Sequence, residues 1–395
     1  MRRLALLALS FTAACATSGS GATSGSGAVV ADGAAADRGA FIVRLGADTI
    51  AVERYTRTGD RIEGDEAMRT PATALRHYVA TVGTDGVITS LDYEAHRLNG
   101  TVPPTRGAMR FFADSATVHL TAGGRDTTLT YAARGAAPYV NLSYGLLESI
   151  LMRYRASAGD STPVPVVALG AAAPVVATLR RVGTDSMTFA IGESTPFRAR
   201  VDARGRILGL QGLGTTQKVV VERVSDIDVQ ATAAEWARRD SAGQALGILS
   251  PADSVKATVA GAQLAVVYSR PSLRGRSLDT LVPRDKVWRT GANAATMFRT
   301  DRDLVIGGTT VPAGSYTLWT LPGASGAKFI VNRQTGQWGT DYDAARDLAR
   351  VDATVGTTAA PVERFTFAIE PAGGNAGKIR YTWGTTEYVI PFTVK

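Results

Sequence analysis

The 395-residue sequence has one cysteine and three histidines. A single cysteine excludes a disulfide framework, a cysteine-rich zinc site and an iron–sulfur cluster. His77, His96 and His119 show no ligand spacing such as H-x-x-x-H, so they read as surface or structural histidines, and His119, alternating with Val118 and Leu120, is expected to face solvent. No G-x-S-x-G, H-E-x-x-H, P-loop or Rossmann fingerprint occurs, and Gly209, Gly212 and Gly214 have the wrong spacing for a dinucleotide turn. Neither a metal nor another cofactor is expected, and no catalytic residue stands out. The chain also lacks a lysine-rich block. Its formal charge of +8 is spread mostly over arginines, two of which lie at the extreme N-terminus, so a nucleic-acid partner is not expected. What the chain does have is 45% hydrophobic and 20% charged residues over a length that favours two folded domains.

The first residues read as an address. Arg2 and Arg3 precede Leu4–Ala14, an uncharged run far short of the roughly 20 apolar residues that cross a bilayer as a helix. Such a run reads as a secretory signal over residues 1–14. It ends in Thr12-Ala13-Ala14-Cys15, which resembles a bacterial lipobox, with Thr12 where leucine is usual; the alternative is an ordinary cleavage site beside an incidental cysteine. On the lipobox reading Cys15 is acylated and anchors the protein in a membrane. Residues 15–38 are then a tether. Ser18-Gly19-Ser20-Gly21-Ala22-Thr23 is nearly repeated by Ser24-Gly25-Ser26-Gly27-Ala28, and such Gly/Ser-rich chain forms flexible linkers. In lipoproteins of Gram-negative type the non-acidic Ala16 implies the outer membrane, facing the periplasm or the cell surface.

The fold class expected is mainly β. Residues 39–230 alternate in strand fashion, as in Phe41, Val43 and Leu45, with turn signals at Thr58-Gly59-Asp60, Thr84-Asp85-Gly86, Gly123-Gly124, Thr184-Asp185-Ser186 and Ala203-Arg204-Gly205. This predicts an antiparallel meander or half-barrel with one apolar face. One segment departs from it: Leu142, Leu146, Leu147, Ile150, Leu151 and Tyr154 recur with a 3.6-residue period, predicting an amphipathic helix over Tyr139–Arg155 with Asn141 as its cap. Such a helix belongs on the concave face of the sheet. That arrangement loosely resembles the half-barrel of periplasmic lipoprotein carriers, although the helix can equally fill the core. Residues 231–252 favour helix at first and are then stopped by Gly243, Gly247 and Pro251, a helical connection between domains.

Residues 253–395 carry short strands with frequent turns, including a hairpin turning at Gly307-Gly308, and predict a β-sandwich. Asp341 is expected to cap a short helix reaching Asp347, and the same aspartates lack the glycine and closing glutamate of an EF-hand. Two stretches are distinctive: Tyr268-Ser269-Arg270-Pro271-Ser272-Leu273-Arg274-Gly275-Arg276, and Val287-Trp288-Arg289-Thr290-Gly291-Ala292-Asn293. Together with Val311-Pro312-Ala313-Gly314-Ser315-Tyr316 and Trp338-Gly339-Thr340-Asp341-Tyr342, this part resembles the family named domain of unknown function 2911. Arg284-Asp285 stand where many members have an aromatic–glycine pair. The resemblance implies an exported bacterial protein and transfers no activity.

Between Leu264 and Arg302 eight basic residues face three acidic ones. Arg270, Trp288, Arg289 and Asn293 combine planar donors, an indole and an amide, a set suited to a carboxylate or a sugar, with Asn332, Trp338 and Tyr342 as further candidate ligand-binding residues. The competing reading is structural: an arginine stacked on tryptophan, its fork on backbone carbonyls, locks a loop. The function expected is that of a cell-envelope lipoprotein acting as a binding or structural module for a small molecule, a glycan or an envelope protein. The alternatives are an Asp/Glu-dependent glycan hydrolase and a lipid carrier using the half-barrel cavity.

Overall fold

Tight turns at Gly59-Asp60 and Gly123-Gly124, whose glycines have the positive φ that such hairpins need, set the pattern of the first half of the chain. The computed structural model describes residues 36–100, 102–155, 160–192, 196–213 and 218–395. The signal segment, Cys15 and nearly all of the linker lie outside the described residues. The chain divides between Gly247 and Ile248 into two compact units.

In the first unit, β1 (Asp37–Leu45), β2 (Asp48–Thr58), β3 (Arg61–Met68), β4 (Ala74–Val82), β5 (Ile88–Arg97), β6 (Thr105–Phe111), β7 (Ser115–Ala122) and β8 (Arg125–Ala132) form one antiparallel meander. After β9 (Ala137–Tyr139) and helix α1 (Tyr144–Arg155), a second meander follows. Its strands are β10 (Ser161–Ala168), β11 (Val175–Val182), β12 (Ser186–Ile191), β13 (Phe197–Val201), β14 (Ile207–Gly212) and β15 (Val219–Val224). Strand β15 then pairs with β1, Ala40 opposite Val224 through Leu45 opposite Val219, so both meanders join in a 15-stranded sheet edged by β8 and β9. Asp37 and Arg38, read as linker from sequence, are already in β1, opposite Arg57 and Thr56.

This sheet is rolled. The Leu169 side chain beyond β10 lies over Gly107 of β6, and the Tyr131 hydroxyl of β8 donates to the Ala171 carbonyl at 2.5 Å. Helix α1 sits inside the roll, with every residue from Tyr144 to Leu151 buried. It starts five residues later than its periodicity predicts, because Tyr139 belongs to β9 and Leu142 takes a positive φ that breaks the helical run. Asn141 does not cap it; the Asn141 carbonyl instead accepts from Arg76 at 2.9 Å.

A second helix, α2 (Val229–Ser241), is capped by Asp228, whose Oδ1 accepts the Ala231 amide at 2.9 Å. The segment is no free connection. Val229, Ala233 and Trp236 pack on Val52, Ala67 and Leu75, the outer face of β2–β4. Burying one tryptophan of about 150–250 Å² is worth roughly 4 kcal/mol or more at about 25 cal/mol per Å², enough to hold this helix on its own sheet. Three strands are thus covered by α1 on one side and α2 on the other.

The second unit contains β16 (Ala252–Val259), β17 (Ala262–Ser269), the short helix α3 (Leu278–Leu281), β18 (Thr296–Thr300), β19 (Leu304–Ile306), β20 (Thr309–Val311), β21 (Gly314–Pro322), β22 (Ala327–Asn332), β23 (Asp347–Pro371) and β24 (Ala376–Val394). They hydrogen-bond in the order β16-β17-β18-β21-β22-β23-β24-β19-β20, one continuous sheet. The sheet doubles over itself. Tyr268 of β17 meets Phe365 and Phe367 of β23 edge-on, with ring centres 5.8 and 5.0 Å apart, although those strands are not neighbours in the ladder. The fold-over is carried by the two longest strands, whose mutual register shifts after Thr357 and again after Val362. Gly384, at φ +60°, lets β24 run on past it as a single strand to Val394. Asp343, rather than Asp341, caps the 3-10 turn Ala344–Arg346 by accepting the Ala345 amide at 3.0 Å.

Candidate functional site

The residues singled out from sequence in the second unit separate into three places. Neighbours on extended backbone point to opposite sides, and Trp288 and Arg289 do so. Trp288 exchanges backbone hydrogen bonds with Thr320 at 2.7 and 2.8 Å, and its buried indole stacks on Trp383 at 5.9 Å and meets Phe365 edge-on at 5.3 Å. Arg270 spans two strands nearby. Its Nη1 donates to Asp253 at 3.1 Å, its Nη2 to the Thr366 hydroxyl at 2.8 Å and its Nε to the Phe365 carbonyl at 3.1 Å. Both side chains fasten the fold-over.

Asn332 and Tyr342 meet at Asp347. The fully buried Asn332 amide donates to the Asp343 carbonyl and to Asp347 Oδ1, both at 2.8 Å, while its own oxygen accepts the Gln334 amide. Tyr342 donates to Asp347 Oδ2 at 2.7 Å and accepts from Arg350 at 2.8 Å. Burial and the bond to Asp347 push its hydroxyl up to about 12.

The third place brings Arg289, Asn293 and Trp338 together. Arg289 is 3% exposed and its Nη1 donates to the Asn293 carbonyl at 3.0 Å. Burial pushes the guanidinium down to about 10, against the opposing pull of Asp341. Gly339 lies directly over it: a Cβ there would fall 2.2 Å from Arg289 Cδ and 2.6 Å from the Asn293 oxygen. The Gly339 amide donates to that same oxygen at 3.0 Å, and Ala294 bridges to Trp338. The buried arginine is therefore a floor on which the turn rests. On its outer side Asn293 and Asp341 are exposed, and Trp338 keeps 44% of its surface open, whereas the other four tryptophans are buried.

A separate cluster in the first unit was not anticipated from sequence. Glu53, Tyr55 and Arg57 on β2, Glu66 on β3, Arg76 and Tyr78 on β4 and Arg223 on β15 line the inner face beneath α1. Glu53 accepts the Tyr144 amide at 2.6 Å, the Gly145 amide at 2.9 Å and the Tyr78 hydroxyl at 2.7 Å. Glu148, inside α1 and fully buried, accepts from Tyr55, from Arg223 and from the Ile207 amide. Arg57 adds a bond to the Ser149 hydroxyl at 2.9 Å. Burial and the facing glutamates push the Tyr55 and Tyr78 hydroxyls up, so both remain neutral donors. The tyrosine rings need glycines beneath them: a Cβ at Gly64 would lie 2.3 Å from the Tyr78 ring, and one at Gly39 would lie 2.5 Å from the Tyr55 ring. Alternation makes Glu53-Arg54-Tyr55-Thr56-Arg57 look like a solvent face, and Glu148 interrupts an apolar stripe. The available signal was that interruption, an acid at a position flanked by Leu147 and Leu151.

Residues 250–392 match the model of a family described as protein of unknown function (DUF2911), nearly the whole of the second unit. No curated protein matches the chain. Among solved structures the chain is similar to a DUF1089 family protein from Pseudomonas aeruginosa, at 12% identity over 42% of this chain and 90% of that one, with a TM-score of 0.33. It is also similar to a protein from Nitrosomonas europaea described as an AttH, at 10% identity over 91% and 92% of the two chains, with a TM-score of 0.11.

Proposed function

We propose that this protein is an exported cell-envelope lipoprotein, anchored through Cys15, whose second unit is a binding module for a glycan. The observation that carries this reading is the turn at Trp338. Its indole is open to solvent while its backbone is fixed by Ala294, by the Asn293 carbonyl and by the buried Arg289. A rigid flat aromatic, with the exposed residues Asn293 and Asp341 joined to the same turn through their backbones, offers an apolar face with polar groups in the same turn, which is what a pyranose ring presents in return.

Two other readings fare less well. A lipid carrier needs an apolar concavity, and the inner face beneath α1 carries glutamates, arginines and tyrosines that bind the helix. A glycan hydrolase needs two reachable carboxylates, and the facing pair Glu53 and Glu66 is 1% exposed at each residue.

The test uses the mature chain with Cys15→Ser, which keeps every described residue. Soluble peptidoglycan fragments are expected to change tryptophan fluorescence in a saturable manner, and Trp338→Ala is expected to abolish that change with an unaltered melting temperature. A wild type that does not respond, or a response that survives Trp338→Ala, overturns the glycan-binding reading. Labelled palmitate should enter the wild-type protein in cells and be absent from Cys15→Ser; equal labelling overturns the anchor.

A further inference from the structure

Glu53 on β2 and Glu66 on β3 stand directly opposite each other in the antiparallel ladder, and both are buried. Side chains so placed have Cβ atoms about 4.5–5.5 Å apart, and like charges there repel. Their hydrogen bonding is unequal. Both oxygens of Glu53 are met by donors, Oε1 by Tyr78 and the Gly145 amide, Oε2 by the Tyr144 amide. Glu66 Oε2 accepts from Arg76 at 3.3 Å, but its Oε1 makes no well-formed hydrogen bond, not even with the buried Ser143 hydroxyl that lies near it just before α1. An orphaned carboxylate oxygen is costly in a dry interior. A proton on it turns the acceptor into a donor, and a serine hydroxyl can accept.

We propose that Glu53 and Glu66 form a proton-operated latch on α1. With one proton held on Glu66, Glu53 remains the anionic cap of the helix and α1 stays docked inside the roll. When that proton leaves, two facing anions share the site with the guanidinium of Arg76, and the first turn of α1 lifts from the sheet.

The surroundings support this sign. Burial pushes both carboxyls up, Glu53 to about 8, with Glu66 facing it as the second cause. From β4, Arg76 pulls Glu66 down, aided by the nearby Ser143 hydroxyl, and Tyr78 does the same to Glu53; from α1, the Tyr144 and Gly145 amides favour the Glu53 anion. Asp65 on β3 opposes ionisation of Glu66. Tyr78 and Tyr144, and Tyr93 on β5, are themselves pushed up by burial and carry no charge at neutral pH. The latch is independent of the Trp338 surface.

Hydrogen exchange on the full Cys15→Ser chain, corrected for the intrinsic pH dependence of exchange, tests it. Protection of amides in Leu147–Leu151 is expected to fall about tenfold or more between pH 6 and pH 9, while strands β12–β14 hold theirs. Glu66→Gln, which cannot ionise, is expected to keep the helix protected at pH 9. An unchanged wild-type helix at pH 9, or equal loss in Glu66→Gln, overturns the latch. Infrared spectroscopy of the unmutated pair covers a variant that does not fold: a buried protonated-carboxyl stretch is expected at pH 7 and should vanish by pH 9. Its absence at pH 7 also overturns the proposal.

Discussion

Glu53 and Tyr144 are 91 residues apart in sequence, and the carboxylate of the first accepts the backbone amide of the second at 2.6 Å. A helix N-terminus leaves its first amides without intrahelical partners and carries partial positive charge. Here the cap comes from a distant strand, so the helix is closed by the tertiary fold. Glu53→Ala removes that cap and strands the Tyr78 hydroxyl and two amides. The expected cost is about 3 kcal/mol. At about 2–4 °C per kcal/mol for a unit of this size, a thermal melt should drop by roughly 10 °C.

The same pair sets a pH dependence. Burial raises both carboxyls of the pair, Glu53 to about 8, so the one proton they hold, on Glu66, is bound more tightly in the folded state than in the unfolded chain, where a glutamate has the ordinary 4.5. Its stabilising effect is complete below about pH 4.5 and is lost as pH rises toward 8, at up to about 1.4 kcal/mol per pH unit for one proton. Urea midpoints for the first unit are expected to fall between pH 5 and pH 8 and to level off above. In Glu66→Gln the slope should be largely absent. A midpoint that rises over this range would contradict the assignment.

Gly64 is the floor under Tyr78, with room for no side chain. Gly64→Ala is expected to destabilise by about 1–3 kcal/mol through overpacking. Gly356→Ala, where an added Cβ meets nothing within 4 Å, serves as the control and should change stability little. Calorimetry that finds the two substitutions equivalent would show that the tyrosine ring can move aside.

In the second unit, Arg289→Ala should separate the floor of the turn from its surface. Removing a guanidinium that is 3% exposed leaves the Asn293 carbonyl and the overlying Gly339 unsupported, at an expected cost of about 3 kcal/mol. Trp338→Ala removes a largely open side chain and should stay within about 0.5 kcal/mol of wild type. Iodide should quench a component of the wild-type fluorescence that Trp338→Ala lacks, because the other tryptophans are buried.

Strand alternation and glycine turns make the antiparallel hairpins of both units legible in the sequence, because those signals are local. The placement of α1 is not local information. Its periodicity gives a helix, but Tyr139 is drawn into β9 and the cap comes from Glu53. The buried Glu/Tyr/Arg face is hidden in the sequence for a related reason. A period of two says which residues share a face and not which face is covered, so Glu53, Tyr55 and Arg57 look like solvent exposure until α1 docks on them. In the second unit, alternation does separate Trp288 from Arg289, and the structure shows what that separation does: the indole enters the core and the guanidinium supports the turn.

The position of β1 also bears on how the first unit responds to force. It is the central strand of the 15-stranded sheet, bonded to β2 on one side and β15 on the other. A pull arriving through the chain before Asp37 therefore runs along a strand held by two ladders, and their hydrogen bonds must yield together in shear instead of opening one at a time as at a sheet edge. The first unit is built to resist tension at that end, and extraction of β1 would split the sheet between its two meanders.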